Sequence, residues 1–484
     1  MDPDLLDAFR AALNHDPTAL ITETNQLQTY ECDGLTNFRT TPTAVVLPRT
    51  AAEVQAIVRI CADHKIPFVA RGSGTGLSGG ALPVTDGIVI GFTRMNRILS
   101  IDIPNQQVVV EPGVINAHVT DAVAAHGYFY APDPSSQSVC TIGGNLAENA
   151  GGAHCLKYGF TTTHVLALDV VLPSGELITL GAATPDAPGY DLAGVFVGSE
   201  GTLGVATRIT LRILKRPETV QVLLAAFDSI AAAGQTVSDI IAAGMLPAAL
   251  EIMDHLSAHA AEQAVHPKYP VCEALLLVEL DGPAAEVAAQ MLEASALCTQ
   301  NGAWEIRVAQ SAAERHLIWK GRKAAFAAVG RISPNYIVQD GVIPRTALPL
   351  LLEAIAALAA EAGLRVANVF HAGDGNLHPL VLYDRANPGE EQLALDLSEH
   401  ILHLCVDHGG SITGEHGVGR EKQQAMGYMF SEPSLETMQR VRRAFDPDSL
   451  SNPGKLFPRP RLCAEKPGPY TPHPLETAGI AEFF

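Results

Sequence analysis

The chain has 484 residues, too many for one ordinary hydrophobic core, so two or three domains are expected. Its 47 % apolar and 17 % charged residues give a globular rather than a disordered composition. The formal net charge of −20 repels nucleic acid and anionic membrane; it excludes a polynucleotide substrate but leaves room for a small anion where a few Arg or Lys gather.

The opening MDPDLLDAF is acidic and lacks a positive stretch followed by an apolar core, so no secretory signal is expected. Residues 1–40 read as an N-terminal helical segment. TAVVLPRT then opens a strand, and AAEVQAIVRICADHK has the three- and four-residue apolar spacing of an amphipathic helix. IPFVA is the next strand. It runs into the loop RGSGTGLSGG, where Gly74, Gly76 and Gly79 match the dinucleotide fingerprint G-x-G-x-x-G. A nicotinamide-binding βαβ unit needs a helix directly after those glycines, its N-terminal dipole on the pyrophosphate. None fits before Ile88: Pro83 removes a donor, Asp86-Gly87 makes a turn, and GIVIGF prefers a strand. The loop still lets backbone approach a phosphate, because five glycines with Ser73, Thr75 and Ser78 present N–H and hydroxyl donors without bulk.

Short strands, glycines and turns continue to LKRPET. From 218 the texture changes to strands (TVQVLLAAF, LLLVELDG, WEIRVAQ, NYIVQDGVI, RVANVFHAG) separated by Ala-rich helices, which suggests one sheet with helices on one face. The most lipid-like stretch, ALPLLLEAIAALAAEAGL, carries Glu353 and Glu361 and reads as a water-soluble helix, so no transmembrane segment is expected. Residues 458–484 form a Pro-rich tail. The eight cysteines stand singly, with no C-x-x-C pair, which argues against a Cys-ligated metal or cluster and against a disulfide framework. Buried thiols in a reducing cytoplasm are the expectation.

In VFHAGDGNLHPLVL, Asp374-Gly375 between β-forming residues signals a two-residue hairpin. With that turn, His371 and His378 fall directly opposite each other on one face, close enough to share an ion. SITGEHGVG supplies a carboxylate, Glu415, next to His416. Two imidazoles and a carboxylate with open positions form a catalytic rather than a structural metal pattern. On AAERHLIWKGRKAAF, Arg315, Trp319, Arg322 and Phe326 share a helical stripe.

Three further stretches follow the glycine loop in order: DPSSQSVCTIGGNLAENAGG, VGSEGTLGV and NPGKLF. Together they resemble the FAD-linked oxidases of the vanillyl-alcohol oxidase (PCMH) type. The nearest likeness is the branch that holds D-lactate dehydrogenase, D-2-hydroxyglutarate dehydrogenase and the FAD-linked subunit of glycolate oxidase. The resemblance spans about 40–457. It implies an α+β fold: a PCMH-type FAD-binding domain over 41–217, a ferredoxin-like α+β cap domain for substrate and metal over 218–425, and a C-terminal helical segment, 426–457, returning to the FAD. By that likeness Arg71, Gly72, Ser73, Gly74, Thr75, Gly76, Gly79 and Gly80 cradle the pyrophosphate. Pro132, Asp133, Pro134, Ser135 and Ser136, with Thr141, Gly143, Gly144, Asn145 and Asn149, line the isoalloxazine and ribityl side. Glu200, Gly201 and Gly204 approach the adenosine half, and Asn452 and Lys455 return to the flavin. Relatives that attach FAD covalently place His in the glycine loop; RGSGTG offers none, so the FAD is expected to be non-covalent.

The same likeness makes His371, His378 and Glu415 ligands of one divalent ion, with zinc the first choice and manganese or iron the alternatives. His416, a neutral imidazole titrating near neutral pH, is expected as the general base that takes a substrate hydroxyl proton. Arg322 matches the clamp for the substrate carboxylate. The branch that reads a second carboxylate has a lysine shortly downstream; NYIVQDG has none, which favours glycolate or D-lactate. The implied function is oxidation of a small 2-hydroxy acid, with electrons leaving for a non-NAD acceptor or for companion flavoprotein and iron–sulfur subunits. Those subunits would also provide any attachment to the membrane. The rivals are specificity for D-lactate or longer-chain acids, and a non-catalytic FAD-binding scaffold subunit.

Overall fold

A computed structural model describes residues 1–184 and 188–458; the expected tail beyond Pro458 lies outside the described residues. The N-terminal helix Pro3–Ala12 is capped by Asp2, whose Oδ1 accepts the Asp4 N–H at 3.0 Å. Its Phe9 is buried against Val54, Ile57 and Val58 of the amphipathic helix Ala51–His64, which Thr50 caps through the Glu53 N–H. Lys65, left-handed at φ 53°, ends that helix and turns the chain into strand Phe68–Arg71.

The first sheet has the order Leu20–Ile21, Ala44–Val46, Ile88–Gly91, Phe68–Arg71. Its last three strands are parallel. As the residues between Gly80 and Ile88 require, no helix follows the glycine loop. The next regular element is strand Ile88–Gly91, entered through Asp86 at φ 60°. The C-terminal chain returns to this sheet: Phe68 N–H donates to Leu450 O at 2.9 Å, and Asn452 N–H donates to Phe68 O at 2.8 Å. A second, five-stranded antiparallel sheet runs Ile98–Asp102, Gln107–Val110, Val205–Arg212, Val165–Val171, Leu177–Gly181.

The third sheet has nine strands and is centred on Thr219–Phe227, Ala274–Gly282, Ala249–Asp254 and Arg365–His371, all antiparallel. Helices cover both of its faces, not one. Leu223, Ala225 and Phe227 pack with helices Ile230–Ala242, Ala284–Gln300, Leu348–Ala362 and Glu390–Asp407. The alternate residues Val222, Leu224 and Ala226 pack with His255–Val265 and Ala312–Val329. The reason lies in the composition: the unbroken apolar run from 222 to 227 leaves no polar face for water, as in sheets covered on both sides. Each large side chain so buried contributes about 1.5–3 kcal/mol. The second layer matters for function, because helix Ala312–Val329 forms a wall of the cavity described next.

Candidate functional site

A cavity of about 660 Å³ lies between the glycine loop and the third sheet. Most of the residues expected to hold a cofactor are on its wall: Arg71 to Gly76, Gly80, Pro134 to Ser136, Thr141, Gly143, Gly144, Asn145, Glu200, Gly201, Gly204 and Asn452. At Gly74, φ is +70° and the Arg71 guanidinium lies 2.2 Å from where a Cβ would sit, so only glycine fits. At Gly76 and Gly201, both on the cavity wall, the space is open: a Cβ there would meet no atom of a non-neighbouring residue closer than 3.9 Å, although φ +68° at Gly201 still favours glycine. That is the shape of a cradle for a flat, phosphate-bearing group, so the donor set and the space fit FAD.

Five expected residues sit behind the wall. Gly79 packs on Arg420, and Pro132 O accepts the Asn116 amide. Asp133 pairs with His154 at 3.0 Å, and Asn149 Oδ1 accepts the Thr162 N–H at 2.9 Å. Lys455 donates to Leu82 O at 2.7 Å and to Asn452 Oδ1 at 3.0 Å, while Asn452 donates to Gly80 O and Glu200 O, so NPGKLF ties the loops that form the cradle. The Glu200 carboxylate does not point at open space: it accepts the Val418 and Gly419 N–H groups at 2.7 and 2.6 Å. Sequence reasoning missed Gly34 to Asn37, which also line the cavity from the N-terminal segment. No local motif marks them; the fold brings Gly34 so close to the glycine loop that a Cβ there would stand 2.7 Å from Gly76 O.

The hairpin register differs from the expected one. His371 pairs with Asn376, not His378, and the turn takes four residues, 372–375. A shift of two positions preserves the face, so both histidines still point the same way. Their rings lie 5.1 Å apart at 87°. Glu415 Oε1 is 3.2 Å from His371 Nε2 and 3.5 Å from His378 Nε2. His371 Nδ1 faces the Glu251 carboxylate at 2.9 Å, which leaves Nε2 available as a ligand atom. Neither ring nitrogen of buried His378 makes a hydrogen bond among the described residues. The donor set of His371, His378 and Glu415 therefore fits one divalent ion.

A second acidic group, Asp340, lies 3.4 Å from His378 Nε2. Its oxygens already accept N–H groups of Gly414, Glu415 and His416, the Asn376 amide and the Lys422 ammonium, so Glu415 is the carboxylate free to bind an ion. Burial pushes the Glu415 carboxyl up, but His371, then His378 and His416, outweigh it and hold it at about 2. Burial pushes His371 down, and Glu251 with Glu415 more than reverses that, well above the usual histidine range.

His416 stacks flat on His378, ring centroids 4.9 Å apart at 4°, and lines the cavity; its Nδ1 has no hydrogen-bond partner among the described residues. It does not titrate near neutral pH as expected. Burial drives it down, Asp340 restores only part, and His378 and Lys422 lower it again, to about 4. Its imidazole is therefore neutral at pH 7. Arg322 stands behind the site, 2 % exposed, with Nη2 2.5 Å from Glu251 Oε2 and no acceptor for Nε among the described residues. It is off the cavity wall; Lys323 and Phe326 of the same helix are on it, the Phe326 ring 5.6 Å from that of His378. Trp319 instead donates to Glu279 at 2.5 Å, and Arg315 to Val220 O at 2.7 Å.

Two family models match the chain: "FAD binding domain" over residues 42–181 and "FAD linked oxidases, C-terminal domain" over residues 216–456. Glycolate oxidase subunit GlcD of Escherichia coli (strain K12) is 50 % identical over 466 residues, covering 96 % of this chain and 93 % of the relative. D-lactate dehydrogenase of Anaerostipes hadrus is 34 % identical over 426 residues, covering 86 % and 89 %. Among solved structures, p-cresol methylhydroxylase with substrate bound superimposes with a TM-score of 0.80 over 94 % of this chain and 96 % of its own, at 18 % identity, a likeness of fold alone. Among the described residues no helix is long and apolar enough to cross a membrane.

Proposed function

The chain belongs to the FAD-linked oxidase family, and on that footing we propose that it oxidises a small 2-hydroxy acid, glycolate or D-lactate, to the 2-oxo acid. The carrying observation is the conjunction of His371, His378 and Glu415 within reach of one ion and His416 beside them on the wall of an FAD-shaped cavity. A non-catalytic scaffold has no need of all four.

The cradle residues would hold FAD non-covalently, and FAD when bound supplies the acceptor for the hydride from the substrate Cα. His371, His378 and Glu415 would hold a divalent ion, zinc first and manganese or iron otherwise, which supplies Lewis acidity at the hydroxyl. His416, its imidazole neutral and stacked on His378 at the cavity wall, receives the hydroxyl proton. Arg322, expected as the clamp for the substrate carboxylate, lies off the wall, so its role here is to hold Glu251, which keeps His371 oriented. Phe326 and Tyr336 on the wall exclude water from the reacting centre. Electrons then pass to a non-NAD acceptor. The GlcD relative is by name one subunit of a glycolate oxidase, which supports companion subunits here; that these are a flavoprotein and an iron–sulfur protein is what the sequence resemblance implies.

The D-lactate dehydrogenase likeness favours a second reading within the same chemistry, preference for D-lactate over glycolate. One experiment tests both: anaerobic mixing with a panel of D- and L-2-hydroxy acids, followed by flavin absorbance. Bleaching by glycolate or D-lactate is expected, and kcat/KM across the panel ranks them. A flavin that no member of the panel bleaches would end the proposal.

A further inference from the structure

The loop that carries Glu415 and His416 has no regular secondary structure, yet every amide N–H from 414 to 421 has an acceptor. Gly414, Glu415 and His416 donate to the Asp340 carboxylate at 2.9–3.3 Å. Gly417 donates to Thr413 Oγ1 at 3.0 Å, and the Thr413 hydroxyl in turn donates to Asp340 at 2.5 Å. Val418 and Gly419 donate to the two oxygens of Glu200. Arg420 and Glu421 donate to Ser78 O, in the glycine loop, at 2.8 and 3.0 Å.

The two carboxylates come from opposite sides of the site. Asp340 follows strand Asn335–Val338 of the third sheet, and Glu200 precedes strand Val205–Arg212 of the second. Both are buried, 0 % and 3 % exposed, and Glu200 holds a left-handed backbone, φ +53°, uncommon for a residue with a side chain. Asp340 also accepts from Asn376 Nδ2 at 2.8 Å, so one carboxylate ties the histidine hairpin to the Glu415 loop. The buried Lys422 ammonium lies 3.2 Å from both Asp340 Oδ2 and Gly417 O and balances the charge. A buried carboxylate that gathers the N–H groups of one loop fixes its path, because releasing them leaves a desolvated charge without partners.

We infer that Asp340 and Glu200 are positioning residues that grip the 413–421 loop from its two sides and so hold Glu415 and His416 in one geometry toward the cavity. The inference rests on the function proposed above only for what Glu415 and His416 then do. Neither carboxylate touches substrate; each acts through the loop.

The test uses the full-length, FAD-loaded protein and the variants Asp340→Asn, Glu200→Gln and Asp340→Asn/Lys422→Met. The double variant removes both members of the buried ion pair and so avoids a lone buried charge. Hydrogen–deuterium exchange of peptides spanning 411–422 is measured beside anaerobic flavin reduction by the best 2-hydroxy acid of the panel. Exchange should quicken about tenfold or more over 413–417 in the Asp340 variants and over 417–421 in Glu200→Gln. Exchange of strand Ala274–Gly282 should stay at the wild-type level in all variants and FAD content should do so in the Asp340 variants, while flavin reduction at saturating substrate, taken per bound FAD, falls roughly 10²-fold. Unchanged exchange in the loop overturns the grip, and quickened exchange with a wild-type reduction rate overturns the positioning role. If the wild-type flavin is bleached by no 2-hydroxy acid, the functional reading fails by itself, and the exchange data still decide the grip.

Discussion

His371 and His378 meet as diagonal neighbours across their hairpin, rings 5.1 Å apart, although His371 pairs in register with Asn376. If they share an ion with Glu415, His371→Ala and His378→Ala should each leave purified protein with less than about a tenth of the wild-type metal content. Glu251→Gln, which weakens the acceptor behind His371 Nδ1, should lower metal affinity roughly 10–100-fold without removing a ligand. Elemental analysis after dialysis against a weak chelator checks both. Full metal stoichiometry in the alanine variants would remove the site.

His416 stacks on His378 and lines the cavity. His416→Asn should retain FAD and metal while flavin reduction slows by roughly 10²–10⁴-fold. Stopped-flow absorbance measures the rate constant directly. A near wild-type value would show that another group takes the proton.

Gly76 has an ordinary negative φ and open space where a Cβ would stand. Gly76→Val should therefore fold with a melting temperature close to that of the FAD-free wild type, yet lose most of its yellow colour. Acid precipitation of the wild-type protein should release the colour to the supernatant, as expected of a non-covalent flavin. Colour retained in the Gly76→Val protein would move the cofactor elsewhere.

His154 joins the two halves of the molecule: Nδ1 lies 3.0 Å from Asp133 and Nε2 3.0 Å from Glu279 on strand Ala274–Gly282. Burial lowers its pKa, but Asp133 and then Glu279 raise it well above 6.5. Protonated His154 is thus favoured in the folded state. Its contribution to stability is full below pH ~6.5 and is lost as pH rises through the folded-state value. Urea midpoints from pH 6 to 9 should fall more steeply for wild type than for His154→Gln. Parallel curves would show that the pair does not hold the halves together.

How much was legible follows from the range of each interaction. The glycine loop and the strand after it were readable because Pro83, Asp86-Gly87 and the β-branched run act within a few residues of one another. The face shared by His371 and His378 was readable although the turn was misread, since a strand repeats every two residues and the register error was two. The second helical layer was missed because the unbroken apolar run at 222–227, which signals two covered faces, was read only as a strand.

Sequence alone pointed to the local elements through periodicity and short motifs, and to the candidate cofactor cradle and metal-binding residues through the motifs that carry the family resemblance. Only the tertiary structure decided which buried groups complete the site. Glu251 lies 120 positions from His371, Asp340 lies 75 from Glu415, and Glu200 lies 218 from Val418. Desolvation obliges a buried charge to find a partner, but no local pattern says which one, because that choice is made when distant segments pack.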